Sequence, residues 1–204
     1  MNRNIRGKII GISGKCCSGK NEAAEVLCRG GWHIIDVDKV GHRALEAEKS
    51  SLTRLFGEEV LGADGHVDRR ALGSIVFGDK KKLCMLESLV HPVMEEMVKT
   101  EAEKQAVSGC NVCINAALLF TMGLYTLCGH VLMVEAPYCV RARRARRRDG
   151  WGYPQIIRRF AAQRRLFPKK LTKNVDMYTV ENSADRNMMR SKIEEFLKLI
   201  ERQG

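Results

Sequence analysis

No apolar stretch in the sequence approaches the length of a membrane span, and there is no internal repeat or low-complexity segment. Their absence excludes helical integral membrane proteins and repeat arrays. The first residues, Met1 to Arg6, lack the apolar segment of a secretory signal, so the expected location is the cytoplasm. Acidic residues are scarce relative to basic ones: 24 Asp and Glu stand against 35 Lys and Arg, a formal charge of +11. That excess calls for a polyanionic partner, either nucleic acid or a small phosphate-bearing ligand. Disulfides are not expected, because eight cysteines in 204 residues do not make a disulfide framework in an intracellular chain. Cys110 and Cys113 are three apart, as in many metal sites, but they lie in an apolar run that reads as a strand and are expected to fill the core.

What the sequence does have is concentrated near its start. The apolar run Lys8 to Ile12 leads into Gly14-Lys15-Cys16-Cys17-Ser18-Gly19-Lys20, and Asn21 to Leu27 then has helical composition and period. A strand, a glycine-bounded turn and a helix opening on lysine form a phosphate cradle: backbone N–H groups face inward, the helix terminus adds positive charge, and the lysine reaches a terminal phosphate. The reading is nucleoside triphosphate binding through Gly14, Lys15, Cys16, Cys17, Ser18, Gly19, Lys20, Asn21 and Glu22. The basic excess therefore favours a small polyanion over nucleic acid. The residue after such a lysine is normally a hydroxyl that ligates magnesium; here it is Asn21, whose amide oxygen is the candidate metal ligand. Cys16 and Cys17 are expected to be thiolate-prone beside the helix terminus and Lys20, so that their oxidation would block the nucleotide.

Further along, Trp32 to Asp36 reads as a second strand whose exit carries Asp36 and Asp38, one facing the ligand crevice and one capping a helix over Lys39 to Glu48. From Ser50 to Val107 the pattern is helical, with a tight turn over Asp64 to Asp68 and a break or helix start at His91-Pro92. This stretch does not alternate with strands and reads as an inserted helical subdomain. Alternation resumes with the strand Asn111 to Asn115, at whose end phosphate-loop enzymes often place a magnesium-holding Asp, and with the strand His130 to Glu135. The block Arg141 to Arg148 is helical and too basic to be buried. It is either a solvated face or a lid whose arginines close over phosphates, since Arg144 and Arg148 share one helix face. A helix over Tyr153 to Arg165, a strand over Met177 to Val180 and an amphipathic helix over Ala184 to Ile200 complete the chain.

Taken together, these segments resemble the dephospho-coenzyme A kinase family along nearly the whole chain. The resemblance rests on Ile10 to Gly14 with Ser18-Gly19-Lys20; Asp36 to Lys39 with His42; Asp64 to Leu72; Leu86-Glu87 with His91-Pro92; Leu118 to Phe120; Arg144 with Arg148-Asp149-Gly150; Gln163; and Asp176 with Asn182. It implies a phosphate-loop α/β fold of the nucleoside-monophosphate-kinase type: a five-stranded parallel sheet with helices on both faces, a helical acceptor subdomain at 39–107 and a lid at 141–170. The implied activity is transfer of the ATP γ-phosphate to the ribose 3′-hydroxyl of dephospho-coenzyme A, the last step of coenzyme A synthesis, with ATP and Mg2+ as cofactors. By the resemblance Asp38 is the base, Lys20 holds the β- and γ-phosphates, Arg144 and Arg148 stabilise charge from the lid, and His91 lies on the acceptor side. Partners are small-molecule substrates, not membranes or nucleic acid, and the protein is a monomer or weak homo-oligomer. The chain departs from the family pattern at Lys15 and Cys17 (glycines), Asn21 (Ser or Thr), Asn115 (Asp), Ala117 (Pro), Thr121 (Glu) and Arg141 (Gln). The expected outcome is an active but slow kinase; the alternative is a weakly active or inactive nucleotide- or coenzyme A-binding homologue with an altered magnesium site.

Overall fold

A computed structural model of the chain describes residues 6–163, 175–183 and 186–202. The sequence expectations that touch Arg164, Arg165, the lid as far as residue 170 and the start of the last helix at 184 lie outside those residues. The fold divides into two compact units: Met1–Ile35 together with Glu101–Gly204, and Asp36–Thr100.

The larger unit is built on a five-stranded parallel sheet in the order β2-β3-β1-β4-β5. Its strands are β1 (Ile9–Ser13), β2 (His33–Asp36), β3 (Val112–Asn115), β4 (His130–Glu135) and β5 (Asp176–Glu181). β1 lies between β3 and β4, with Ile12 in register with Asn115 on one side and Leu132 on the other. Apolar residues fill both faces of the inner strands, as a sheet covered on both sides requires: β3 is buried along its whole length, and only Glu135 of β4 is exposed. α1 (Lys20–Arg29) and α8 (Arg186–Arg202) supply Ala23, Leu27, Ile193 and Phe196 to the same core as Ile10 and Leu132. α6 (Tyr138–Asp149) and α7 (Tyr153–Ala162) form a smaller apolar cluster through Ala142, Ala145, Ile156 and Phe160.

The basic block is not wholly exposed, contrary to the sequence expectation. Arg141 is 7% exposed; its guanidinium stacks 4.3 Å above the Phe160 ring. A planar, weakly hydrated guanidinium is the cation most easily placed against an aromatic face. Cys113 is buried as expected, whereas Cys110 is exposed and precedes the strand; all eight cysteines are free thiols.

The smaller unit holds α2 (Val37–Ala47), α3 (Lys49–Phe56), α4 (Arg69–Val76) and most of α5 (Lys80–Val107). Its core gathers Leu52, Phe56, Val60, Val67, Leu72 and Val76. Asp36 caps α2 by accepting from the backbone N–H of Asp38 at 3.1 Å. The turn between Leu61 and Val67 is closed by the Gly65 N–H donating to Gly62 O at 2.9 Å. Asp68 then caps α4 by accepting from Arg70 and Ala71, which holds its carboxyl below the usual range. Glu46 is held low in the same way, accepting from the Val67 N–H at 2.9 Å.

α5 is a single helix of 28 residues with Pro92 inside it, where a break or start is expected. Burial accounts for this: Val90 and Val98 are 5% and 0% exposed while Pro92 faces solvent. One anchored face therefore holds the helix together across the missing backbone donor. Replacing Pro92 with Ala should restore that hydrogen bond and raise unfolding free energy by ~2 kcal/mol, measured by urea denaturation. No gain would mean the proline is accommodated without strain.

Candidate functional site

β1 delivers the chain at Ser13 into the loop Gly14 to Gly19, and α1 opens on Lys20. Two glycines are required there by the space around them. A Cβ on Gly14 would stand 2.4 Å from Val134 O, and Gly19 has a φ of 103° with the Asn182 amide nitrogen 2.0 Å from where its Cβ would lie. Cys17 also has a positive φ, 61°, the only non-glycine to do so among the described residues. The sequence departure at this position thus falls where a left-handed backbone suits glycine and strains a side chain.

A basic clamp holds the loop. Arg141 Nη1 donates to Cys16 O at 3.4 Å. Arg144 donates to Cys17 O at 3.4 Å, to Ser18 O at 3.2 Å and to Asn182 Oδ1 at 2.9 Å. The buried Asn182 completes the set by donating to Ser18 O at 3.0 Å. In a planar trans peptide the next N–H points opposite to the carbonyl, so anchoring these three oxygens toward α6 turns the N–H groups of Cys17, Ser18 and Gly19 the other way. That of Ser18 bonds Lys15 O at 3.0 Å. Gln163 accepts from the Cys16 N–H at 2.7 Å, tying the loop to the end of α7.

The thiols lie against this clamp, with Cys16 Sγ 3.6 Å from Cys17 Sγ. Both side chains pack on the α6–α7 cluster. Burial, with the neighbouring Cys16 adding to it, pushes the Cys17 thiol up to about 11. The expectation that the helix terminus and Lys20 make Cys17 thiolate-prone is therefore corrected: desolvation of the charged form dominates, and the nearby Arg148 charge offsets it only in part.

At the opposite end of the loop, Lys20 Nζ donates to Asn115 Oδ1 at 3.3 Å, and Asn115 Nδ2 donates to Asn21 Oδ1 at 3.1 Å. Glu22 sits half-buried in the first turn of α1. Lys15 is exposed and lines, with Glu135, Pro137, Thr179, Glu181 and Lys192, a cavity of about 500 Å³ beyond the carboxyl ends of β4 and β5. In open parallel sheets this is the side on which ligands bind. Arg148 lies one turn beyond Arg144 and pairs with Asp149 through two bonds of 2.8 and 2.9 Å, which raises its pKa.

The loop residues, Lys20, Asn21, Glu22 and Arg144 thus gather around one turn. Arg148 shares the helix but is engaged elsewhere. Asp38 and His91 belong to the smaller unit: Asp38 is exposed in the first turn of α2, and His91 is half-buried in α5. Arg141, Gln163 and Asn182 hold the loop, a role that spacing assigns to none of them; Gln163 and Asn182 stand out in the sequence through the family resemblance, and Arg141 as a departure from it. The donors do not suit a magnesium ion. No hydroxyl follows Lys20, no carboxylate ends β3, and one lone pair of the Asn21 oxygen is already used. Among the described residues, no three His, Cys, Asp or Glu are grouped to hold a metal, and no helix is long and apolar enough to cross a membrane.

Cys17→Gly should be more stable than Cys17→Ala by ~1 kcal/mol, because alanine keeps the strained φ and glycine does not. Chemical denaturation of the two variants checks this. In the native wild type, Cys17 should also alkylate more slowly than exposed Cys139 near neutral pH, read by mass spectrometry of the labelled peptides.

Comparison with known proteins accords with this geometry. The family model described as dephospho-CoA kinase matches residues 8–187. A dephospho-CoA kinase from Borrelia garinii subsp. bavariensis is 30% identical over 198 residues, 94% of each chain. One from Thermus thermophilus is 35% identical over 180 residues, 86% of this chain and 83% of that one. The crystal structure of TT1252 from Thermus thermophilus superposes with a TM-score of 0.78 at 31% identity, covering 95% of this chain and 97% of that one. Shikimate kinase from Aquifex aeolicus, at 18% identity and a TM-score of 0.52 over 96% and 99% of the two chains, shares the fold. The chain belongs to the dephospho-CoA kinase family, a family of ATP-dependent phosphotransferases.

Proposed function

We propose that the chain transfers the γ-phosphoryl group of ATP to the ribose 3′-hydroxyl of dephospho-CoA, acting in the cytoplasm on small-molecule substrates as a monomer or weak homo-oligomer. The observation that carries the reading is the clamp on the loop carbonyls of Cys16, Cys17 and Ser18, which turns the N–H groups of Cys17 and Gly19 away from α6, while that of Ser18 closes the loop on Lys15 O. Phosphoryl transfer asks for positioning and charge neutralisation more than for covalent catalysis by the protein. Loop N–H groups and Lys20 hold the β- and γ-phosphates, with Gly14, Lys15, Cys16, Cys17, Ser18, Gly19, Asn21 and Glu22 forming the cradle. Arg144 places its charge at the loop through the clamp itself. Arg148 exchanges Asp149 for phosphate when nucleotide is present, so that α6 and α7 act as a lid that excludes water.

In the smaller unit, Asp38 receives the proton released by the 3′-hydroxyl, and His91 binds the acceptor; 39–107 is the acceptor-binding segment. Asp36 supports this assignment, because it takes the capping role and leaves the Asp38 carboxylate exposed. Magnesium commonly accompanies ATP and neutralises its charge, but this chain presents the ion with a poor set of donors.

An ADP-release assay across dephospho-CoA, nucleosides and nucleoside monophosphates tests the reading, with turnover expected on dephospho-CoA alone. Lys20→Ala and Asp38→Asn should each lower kcat by ~10²-fold or more in protein whose melting is unchanged. Absence of turnover with folded wild-type protein, or Asp38→Asn at wild-type rate, would overturn the corresponding assignment.

A further inference from the structure

The hydrogen-bond chain from Lys20 through Asn115 to Asn21 has a direction that chemistry fixes. An ammonium only donates, so Asn115 must turn its oxygen to Lys20; its NH2 then faces Asn21, which must answer with its own oxygen. The distances, 3.3 and 3.1 Å, fit that order. Phosphate-loop enzymes ordinarily hold magnesium at these two places with a hydroxyl after the lysine and a carboxylate at a strand end. Here both are neutral amides bonded to each other, and Asn115 is 4% exposed, so it has little freedom to turn away.

The same loop is rich in fixed cations. Lys15 is exposed at its rim and Lys20 opens α1, while Arg141 and Arg144 bond its carbonyls on the side away from the N–H groups and add their field from behind the loop. We infer that this chain binds ATP with protein cations doing the neutralising that a metal does elsewhere, so that ATP affinity is nearly indifferent to Mg2+, with the Asn21–Asn115 pair as the cause. The inference rests on the nucleotide site proposed above and concerns its metal dependence. Restoring a hydroxyl and a carboxylate should restore that dependence, and the carboxylate of Asn115→Asp would form 3.3 Å from Lys20 as an ion pair, which offsets its burial.

Calorimetric titration of the full chain with ATP, once in excess MgCl2 and once in excess EDTA, reads the effect without turnover. The expected ratio of the two dissociation constants is below ~3-fold for wild type and above ~10-fold for Asn21→Ser/Asn115→Asp, a gain of at least about half a decade. Asn21→Ser alone, at an exposed position where folding is not at stake, should shift the ratio the same way. A wild-type ratio above tenfold overturns the inference, as does a ratio in either variant that stays at the wild-type value. Failure of a different kind, with ATP not binding folded wild type in either medium, would bring down the nucleotide site itself.

Discussion

The structure around the site depends on keeping the carbonyl oxygens of one short loop occupied. A turn that offers N–H groups to a ligand must dispose of its own carbonyls, since a buried acceptor left without a donor costs about 1–3 kcal/mol. Arg141, Arg144 and Asn182 meet that demand for Cys16, Cys17 and Ser18. The donors are charged or buried, so the bonds form where the local dielectric strengthens them. Burying Arg141 is tolerable because its guanidinium also rests on Phe160. The arginine block is therefore two things on one helix: residues 141, 144 and 148 lie along one face, and Arg146 stacks instead on Tyr153 at 4.8 Å.

The elements of the larger unit were legible because each carried its own local signal. β1, β3 and β4 are short apolar runs ended by polar or turn residues, and α1 follows a glycine-bounded loop. The tight turn could be read from Asp64 to Asp68 because it is settled by neighbours in sequence. Pro92 was misleading because its effect depends on a face of α5 anchored elsewhere, at Val90 and Val98. Arg141 was misleading for a similar reason. Its charge argues for exposure, and only the position of Phe160, nineteen residues on, makes burial affordable.

The site was legible in its parts and not in its connections. Glycines at 14 and 19 and the lysine at 20 announce a phosphate loop, and Asn21 and Asn115 stand out as departures. That the two amides bond each other across 94 positions, and that Cys17 takes a left-handed backbone, are facts of geometry with no trace in spacing. At Cys17 burial outweighs local charge, and burial against the α6–α7 cluster leaves no mark on the neighbouring residues in sequence.

Asn182 has a consequence for the order in which the molecule is made. It bonds Ser18 O, receives Arg144, and donates its own N–H to Glu135 O at 2.7 Å at the end of β4. The ribosome makes the loop some 160 residues before the group lying over Gly19 emerges. A nascent chain that has folded β1 and α1 therefore still carries an unfinished cradle until Asn182 arrives.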